Sequence, residues 1–174
     1  MRVVQKFGGT SVGSLERVRK TADLVERSVR EGHETAVVVS AMSGETNRLI
    51  GMARKLGAQP QPRELDALVS TGEQVSAALL AIELHHRGLA AYSYTGMQAG
   101  LKTDSRYSRA RIQKIECDKL LSHLKKGEVP VLTGFQGVDE QGNITTLGRG
   151  GSDTSAVALA IALKADVCDI YTDV

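Results

Sequence analysis

The chain is poor in what several functional classes require. It has no tryptophan, and aromatics make up only 3% of it, too few to build base-stacking platforms. Its two cysteines, Cys117 and Cys168, stand far apart without CxxC spacing, so a reduced, cytoplasmic protein is expected. The four histidines (His33, His85, His86, His123) show no metal-ligand spacing with those cysteines, and a zinc site is not expected. No charge of one sign prevails: Lys+Arg 22 against Asp+Glu 20 leaves a net charge of +2, too balanced for a nucleic-acid or membrane surface. No apolar run approaches the roughly 20 residues of a membrane helix. The N-terminus carries no signal-peptide pattern.

Glycine, by contrast, is in excess, at 18 of 174 residues, about 10% against a usual ~7%. The pattern around it alternates between strands and helices. Val3–Phe7 reads as a strand. Ser14 then caps a helix whose Leu15, Val18, Ala22, Val25 and Val29 recur at helical spacing up to Gly32. "TAVVVSA" (35–41) reads as a buried strand and "TNRLIGMARKLG" (46–57) as a helix. "AQPQPRE" (58–64) is a loop, and 64–88 is helical with a bend near Gly72. Strands are expected at 90–96, 109–116 and 129–135, a helix at 117–127, and a hairpin over 137–148 turning at Gln141–Gly142–Asn143. A buried helix (152–165) and a strand (166–174) follow. Such alternation predicts an α/β protein with a largely parallel sheet and helices on both faces, in one domain. A strand ending at Val174 with no crossover after it reads as truncation rather than as a C-terminal edge strand.

In open sheets of this kind, ligands bind beyond the carboxyl ends of the strands. The polar, glycine-rich clusters fall there: Lys6-Phe7-Gly8-Gly9-Thr10-Ser11, Ser40 to Gly44, Thr133 to Gly137, Gly148 to Asp153, and Tyr171-Thr172-Asp173. "KFGGTS" is neither a P-loop, whose lysine follows its glycines, nor GxGxxG. It reads either as an oxyanion cradle with Lys6 as point charge, or as a tight turn with a solvated lysine. In "GRGGSD", Arg149 between glycines offers a fork to a carboxylate or phosphate, and Ser152 or Asp153 caps the next helix. Glu73, near a predicted helix start, reads on physics alone as a first-turn acid, and Thr46 as an N-cap. The stripe Leu79, Leu80, Ile82, Leu84 reads as core.

In their order, "KFGGTSV", "SAMSGETN", "STGEQVS", "GFQGV", "TTLGRGGSDTSA" and "DIYTDV" resemble the aspartate kinases, of the amino-acid kinase fold, over essentially all 174 residues. The resemblance implies a three-layer α/β/α sandwich. It also implies ATP- and Mg²⁺-dependent phosphorylation of the L-aspartate side-chain carboxylate to 4-phospho-L-aspartate, towards lysine, threonine and methionine. By the same resemblance, Lys6 neutralises the transferring phosphoryl group and Asp153 organises Lys6. Phe7, Gly8, Gly9 and Ser40 face the phosphates, and Thr172 and Asp173 begin the nucleotide site. Thr46, Glu73, Arg149, Gly150, Gly151 and Ser152 contact the substrate, with Glu73 at its amino group and Arg149 on a carboxylate. Family members continue past "YTDV" into the rest of the nucleotide lobe and into ACT domains that bind feedback inhibitors. The chain is therefore expected to be the N-terminal portion of a catalytic domain, inactive or weak alone, from an oligomeric parent. An acetylglutamate-type kinase and a non-catalytic substrate-binding fragment remain rival readings. A Rossmann dehydrogenase is disfavoured by the glycine spacing.

Overall fold

The computed structural model describes residues 1–172. Strand β1 (Arg2–Phe7) leads through a 3-10 turn at Thr10–Val12 into helix α1 (Leu15–Arg30). The Ser14 hydroxyl accepts the Arg17 N–H at 3.1 Å, and Gly32 turns the chain at φ +86°. Strand β2 (Glu34–Val39) is followed by α2 (Glu45–Leu56) and the long α3 (Pro62–His86). Gln61 caps α3 through its side-chain oxygen, and Pro62 takes the first helical position, where no N–H is needed. Then come β3 (Ala91–Tyr94), β4 (Leu101–Thr103), β5 (Ile112–Ile115), α4 (Asp118–Lys125) and β6 (Val129–Thr133). The hairpin β7 (Gln136–Val138) and β8 (Ile144–Thr146) precedes α5 (Gly151–Ala162) and β9 (Val167–Tyr171).

Five strands form one wholly parallel sheet in the order β3-β6-β2-β1-β9. Both of its faces are covered, so its strands are apolar on alternate residues of both sides. Phe7, Val37, Val39 and Val131 pack under α1 and α3, against Val18, Ala22, Val25, Ala77, Leu80 and Leu84. Val4, Ala36, Val38 and Leu132 pack under α4 and α5, against Leu120, Leu124, Leu159 and Leu163. Each of the valines, leucines and the phenylalanine among them contributes about 1.5–3 kcal/mol by leaving water. This is the expected three-layer sandwich. Arg2 fastens β1 to the segment before β9: its N–H reaches Asp166 at 2.7 Å and its guanidinium the Leu163 carbonyl at 2.6 Å.

Some details differ from expectation. A second sheet, β5-β4-β7-β8, lies apart from the first and is mainly antiparallel. Its β4 has three residues, too few to show a period. The helix of α3 runs unbroken through Gly72, where the missing side chain lets it approach β2's loop: a Cβ there would lie 2.9 Å from that of Ala41. Ile82 is not core but 62% exposed, because it sits on the outer face of α3 between the buried Ala81 and Leu84. That helix is long and apolar enough to cross a membrane by composition alone, yet half of the stretch is buried within the fold.

Candidate active site

Phe7, Val39 and Thr133 lie side by side in register, so the chain leaves β1, β2 and β6 at one level of the sheet. The loops that follow are laced together. Ser40 N–H donates to the Phe7 carbonyl, Ser43 N–H to Gly9 and Gly134 N–H to Val39, at 2.9–3.0 Å. At Gly9 any side chain would strike the Ala41 carbonyl oxygen, 2.9 Å from its Cβ position. Above these loops opens a cavity of about 660 Å³, within the ~300–1,000 Å³ usual for small-molecule sites.

Lys6 lies at the cavity, its side chain only 9% exposed, with Nζ 2.6 Å from Asp153 Oδ1. The contact is a close ion pair rather than an aligned hydrogen bond, since that oxygen has no hydrogen-bond partner. Helices α2 and α5 both begin at the cavity. Each starts from a left-handed glycine, Gly44 (φ +83°) or Gly150 (φ +73°), and neither has a side-chain cap. The first N–H of each helix is taken by the preceding turn (Glu45 to Met42 at 2.9 Å, Gly151 to Gly148 at 3.1 Å), which leaves the N–H groups of Thr46, Asn47, Ser152 and Asp153 and the positive dipole ends for an anion. Arg149 is exposed at the rim and makes no ion pair among the described residues.

Glu73 supplies the opposite sign. It is buried to 2% exposure in the middle of α3, and its Oε1 accepts the Ala41 N–H at 3.2 Å. Its Oε2 is buried without a partner. Burial, only partly offset by backbone hydrogen bonds, pushes its carboxyl up from 4.5 to about 7. The cavity therefore holds a buried acid short of a donor together with two cations and two uncapped helix starts. That set fits a ligand with one positive and more than one negative group.

A family model described as "Amino acid kinase family" matches residues 1–174. The chain belongs to the amino acid kinase family. It is 62% identical over 174 residues to an aspartate kinase of Pseudomonas fluorescens, covering 99% of this chain and 42% of that protein. It is 52% identical to aspartokinase 2 of Bacillus subtilis, again covering 99% of this chain and 42% of the relative. The chain thus spans less than half the length of these relatives. Among solved structures, Escherichia coli aspartokinase III in complex with aspartate and ADP superposes with a TM-score of 0.89 at 30% identity, covering 100% of this chain and 49% of that one. The Synechocystis aspartate kinase gives 0.85 at 49% identity, covering 99% of this chain and 28% of that one.

The fold of this kinase family gathers most of the residues expected from sequence. Lys6, Gly9, Ser40, Thr46, Glu73 and Arg149 line the cavity with the run Gly150 to Asp153. The Phe7 side chain is fully buried and stacked on Tyr171 at 4.7 Å, which leaves only its backbone for a phosphate. Two expectations are corrected. Glu73 is no first-turn acid, because α3 begins eleven residues earlier at Pro62. Neither Thr46 nor Ser152 or Asp153 is an N-cap, since glycines hold both cap positions. Gly8 lies beside the cavity, its Cβ position 3.7 Å from Lys6 Nζ, and Thr172 is exposed at the end of β9. Asp173 falls outside the described residues.

Phe135, from the expected cluster Thr133 to Gly137, also lines the cavity, and so do Asp66, Ser108 and Thr146, which were not singled out from sequence. Phe135 has a φ of +73°, an outlying conformation for so bulky a residue. A signal for Asp66 was present. Asp66, Ser70, Glu73 and Ser76 occupy the helical stripe that Ala77, Leu80 and Leu84 continue into the core. Polar residues at core spacing mark the half of α3 that faces the site.

Proposed function

We propose that the cavity binds L-aspartate, and that the protein transfers the γ-phosphoryl group of ATP to its side-chain carboxylate. The observation that carries this reading is Glu73: a buried carboxylate with an unpartnered oxygen, in the same cavity as Lys6 and Arg149. It fits an ammonium group, which aspartate has and an N-acylated amino acid lacks. This favours aspartate over acetylglutamate. The likeness to an aspartokinase solved with aspartate and ADP supports the same reading.

In the proposed reaction a carboxylate oxygen of aspartate forms a bond to the γ-phosphorus. The bond to the β,γ-bridging oxygen breaks, and ADP and 4-phospho-L-aspartate leave. The nucleophile is already ionised at neutral pH, so no general base is needed. Alignment and charge neutralisation do the work. Arg149 holds the substrate's other carboxylate as a bidentate fork. Glu73 holds its ammonium, and Thr46 and Ser152 lie in the same lining. Lys6 meets the incoming phosphoryl group, held in place by Asp153. Gly8, Gly9 and Ser40 offer backbone and hydroxyl donors, and Thr172, at the end of β9, begins the nucleotide site, to which the motif likeness also assigns Asp173. Mg²⁺ would be held chiefly by phosphate oxygens, with Asp153 the acid available to it, and supplies positive charge between two anions.

We read the chain as the aspartate-binding part of such an enzyme, from the pathway that leads to lysine, threonine and methionine. It spans 42% of its relatives' length, and turnover by it alone is expected to be weak or absent. Calorimetric titration with L-aspartate, N-acetyl-L-aspartate and acetylglutamate tests the reading. Saturable binding of L-aspartate alone is expected. Equal binding of the acylated acids would overturn it.

A further inference from the structure

Asp66 lies on α3 two turns before Glu73 and is wholly buried. No cation pairs with it among the described residues. Four donors meet it instead, in a two-plus-two pattern. Oδ2 accepts the backbone N–H groups of Ser108 (2.9 Å) and Thr146 (2.8 Å). Oδ1 accepts the hydroxyls of the same two residues, at 3.1 and 2.8 Å. A buried carboxylate demands such compensation, and a helix gains nothing by supplying it. The gain lies in what Ser108 and Thr146 hold.

Ser108 stands at φ +68°, a conformation disfavoured for a residue with a side chain. Its carbonyl oxygen lies 3.0 Å from the Cβ position of Gly148, the residue before Arg149. Thr146 is two residues before Gly148, and its carbonyl accepts the Ala110 N–H at 2.8 Å. Asp66 therefore clamps both supports of the turn that carries Arg149. Asp66, Ser108, Thr146 and Gly148 line the same cavity as Arg149 and Glu73.

We propose that Asp66 is a positioning residue that, through Ser108 and Thr146, fixes the Gly148–Arg149–Gly150 turn relative to Glu73. One helix then sets both ends of the ligand: Glu73 for the ammonium, and Asp66, acting at a distance, for the carboxylate held by Arg149. This rests on the amino-acid reading of the cavity. A merely structural Asp66 would fasten the second sheet to α3 and affect stability alone.

The substitution Asp66→Asn can keep all four contacts. Its oxygen can accept both backbone N–H groups, and its amide can donate to the two hydroxyls, which turn round to accept. Asp66→Ala strands the buried Thr146 N–H and the part-buried Ser108 N–H. The double variant Ser108→Ala/Thr146→Val removes only the hydroxyls and serves if the alanine variant does not fold. The first readout is ¹⁵N relaxation of the ligand-free chain at the Gly148 and Gly150 amides and at Arg149 Nε. The second is calorimetric titration with L-aspartate. The wild type and Asp66→Asn should show an ordered turn and affinities within about threefold of each other. The alanine or double variant should loosen the turn, leave the amides of β1 and β2 unchanged, and weaken aspartate about tenfold or more. An unchanged turn and affinity in a folded alanine or double variant would overturn the proposal. So would an equal loss in Asp66→Asn. If the wild type binds no L-aspartate, the assignment of the ligand fails, while relaxation of the turn still decides the role of Asp66.

Discussion

Replacing Glu73 with glutamine separates the stability of this fold from its use. The carboxyl stands near 7 in the folded chain against 4.5 ordinarily, because burial disfavours its charge. Below about pH 4.5 it is neutral in both states and imposes no penalty. Between about 4.5 and 7 the unfolded chain gives up its proton first, so stability falls as pH rises through that window. Above 7 the full penalty is present, about 3 kcal/mol at about 1.4 kcal/mol per pH unit. Glu73→Gln keeps the acceptor for the Ala41 N–H and loses the titration. Its stability should match the wild type near pH 4 and exceed it by up to about 3 kcal/mol near pH 8. Urea unfolding followed by circular dichroism across this range measures the difference. A gap that stays flat within about 0.5 kcal/mol from pH 4.5 to 7 would refute the reasoning. Binding gives a second reading of the same group. An arriving ammonium must draw off any proton on Glu73, so L-aspartate should release about half a proton at pH 7 and none near pH 9. Calorimetry in buffers of different ionisation enthalpy counts it, and the glutamine variant should bind no aspartate.

Arg149→Ala should weaken aspartate by about 10–150-fold, the worth of a charged hydrogen bond, while shifting unfolding by less than about 0.5 kcal/mol, since the side chain is exposed. Arg149→Lys should recover little of that affinity, because a point charge cannot form the bidentate fork; paired titrations and melts check both. Lys6→Met should melt no lower than the wild type, because it exchanges a buried cation for an apolar chain of similar length and leaves a half-exposed Asp153. On the proposed reading, the matching substitution in a full-length aspartate kinase relative should abolish phosphoryl transfer, read by coupled ADP release. Gly9→Ala should destabilise by about 1–3 kcal/mol in urea unfolding, since the Cβ meets a backbone carbonyl that cannot turn aside.

Much of the site was legible because parallel strands deliver their carboxyl ends to one edge. Lys6, Ser40 and Arg149 could be placed together without knowing a single contact. Residues whose role depends on distant partners were not. Asp66 is 80 residues from Thr146, and no local pattern announces that pairing. Gly72 could mark either a break or a close approach, and choosing the break turned Glu73 into a helix-start acid. Phe7 lies between Lys6 and Gly8 at the site edge, but strand alternation sends its side chain to the opposite face from Lys6 and into the core. The second sheet was half seen, as a hairpin and one strand. Its remaining strand is held by register with neighbours rather than by its own three residues.

The clasp between Arg2 and Asp166 joins residues 164 apart, and β1 reaches its outer partner β9 across the same span. During synthesis β1 emerges first and waits with one edge open until almost the whole stretch has left the ribosome. Contacts of such long range form slowly, and an unpaired strand edge is meanwhile a sticky surface. Lys6 lies on that waiting strand, and Asp153 opens the helix that delivers β9. The ion pair beneath the cavity can therefore form only as the sheet closes. A nascent chain halted before α5 would hold Lys6 without its acid, so competence to bind an anion there in the native manner arrives together with completion of the fold.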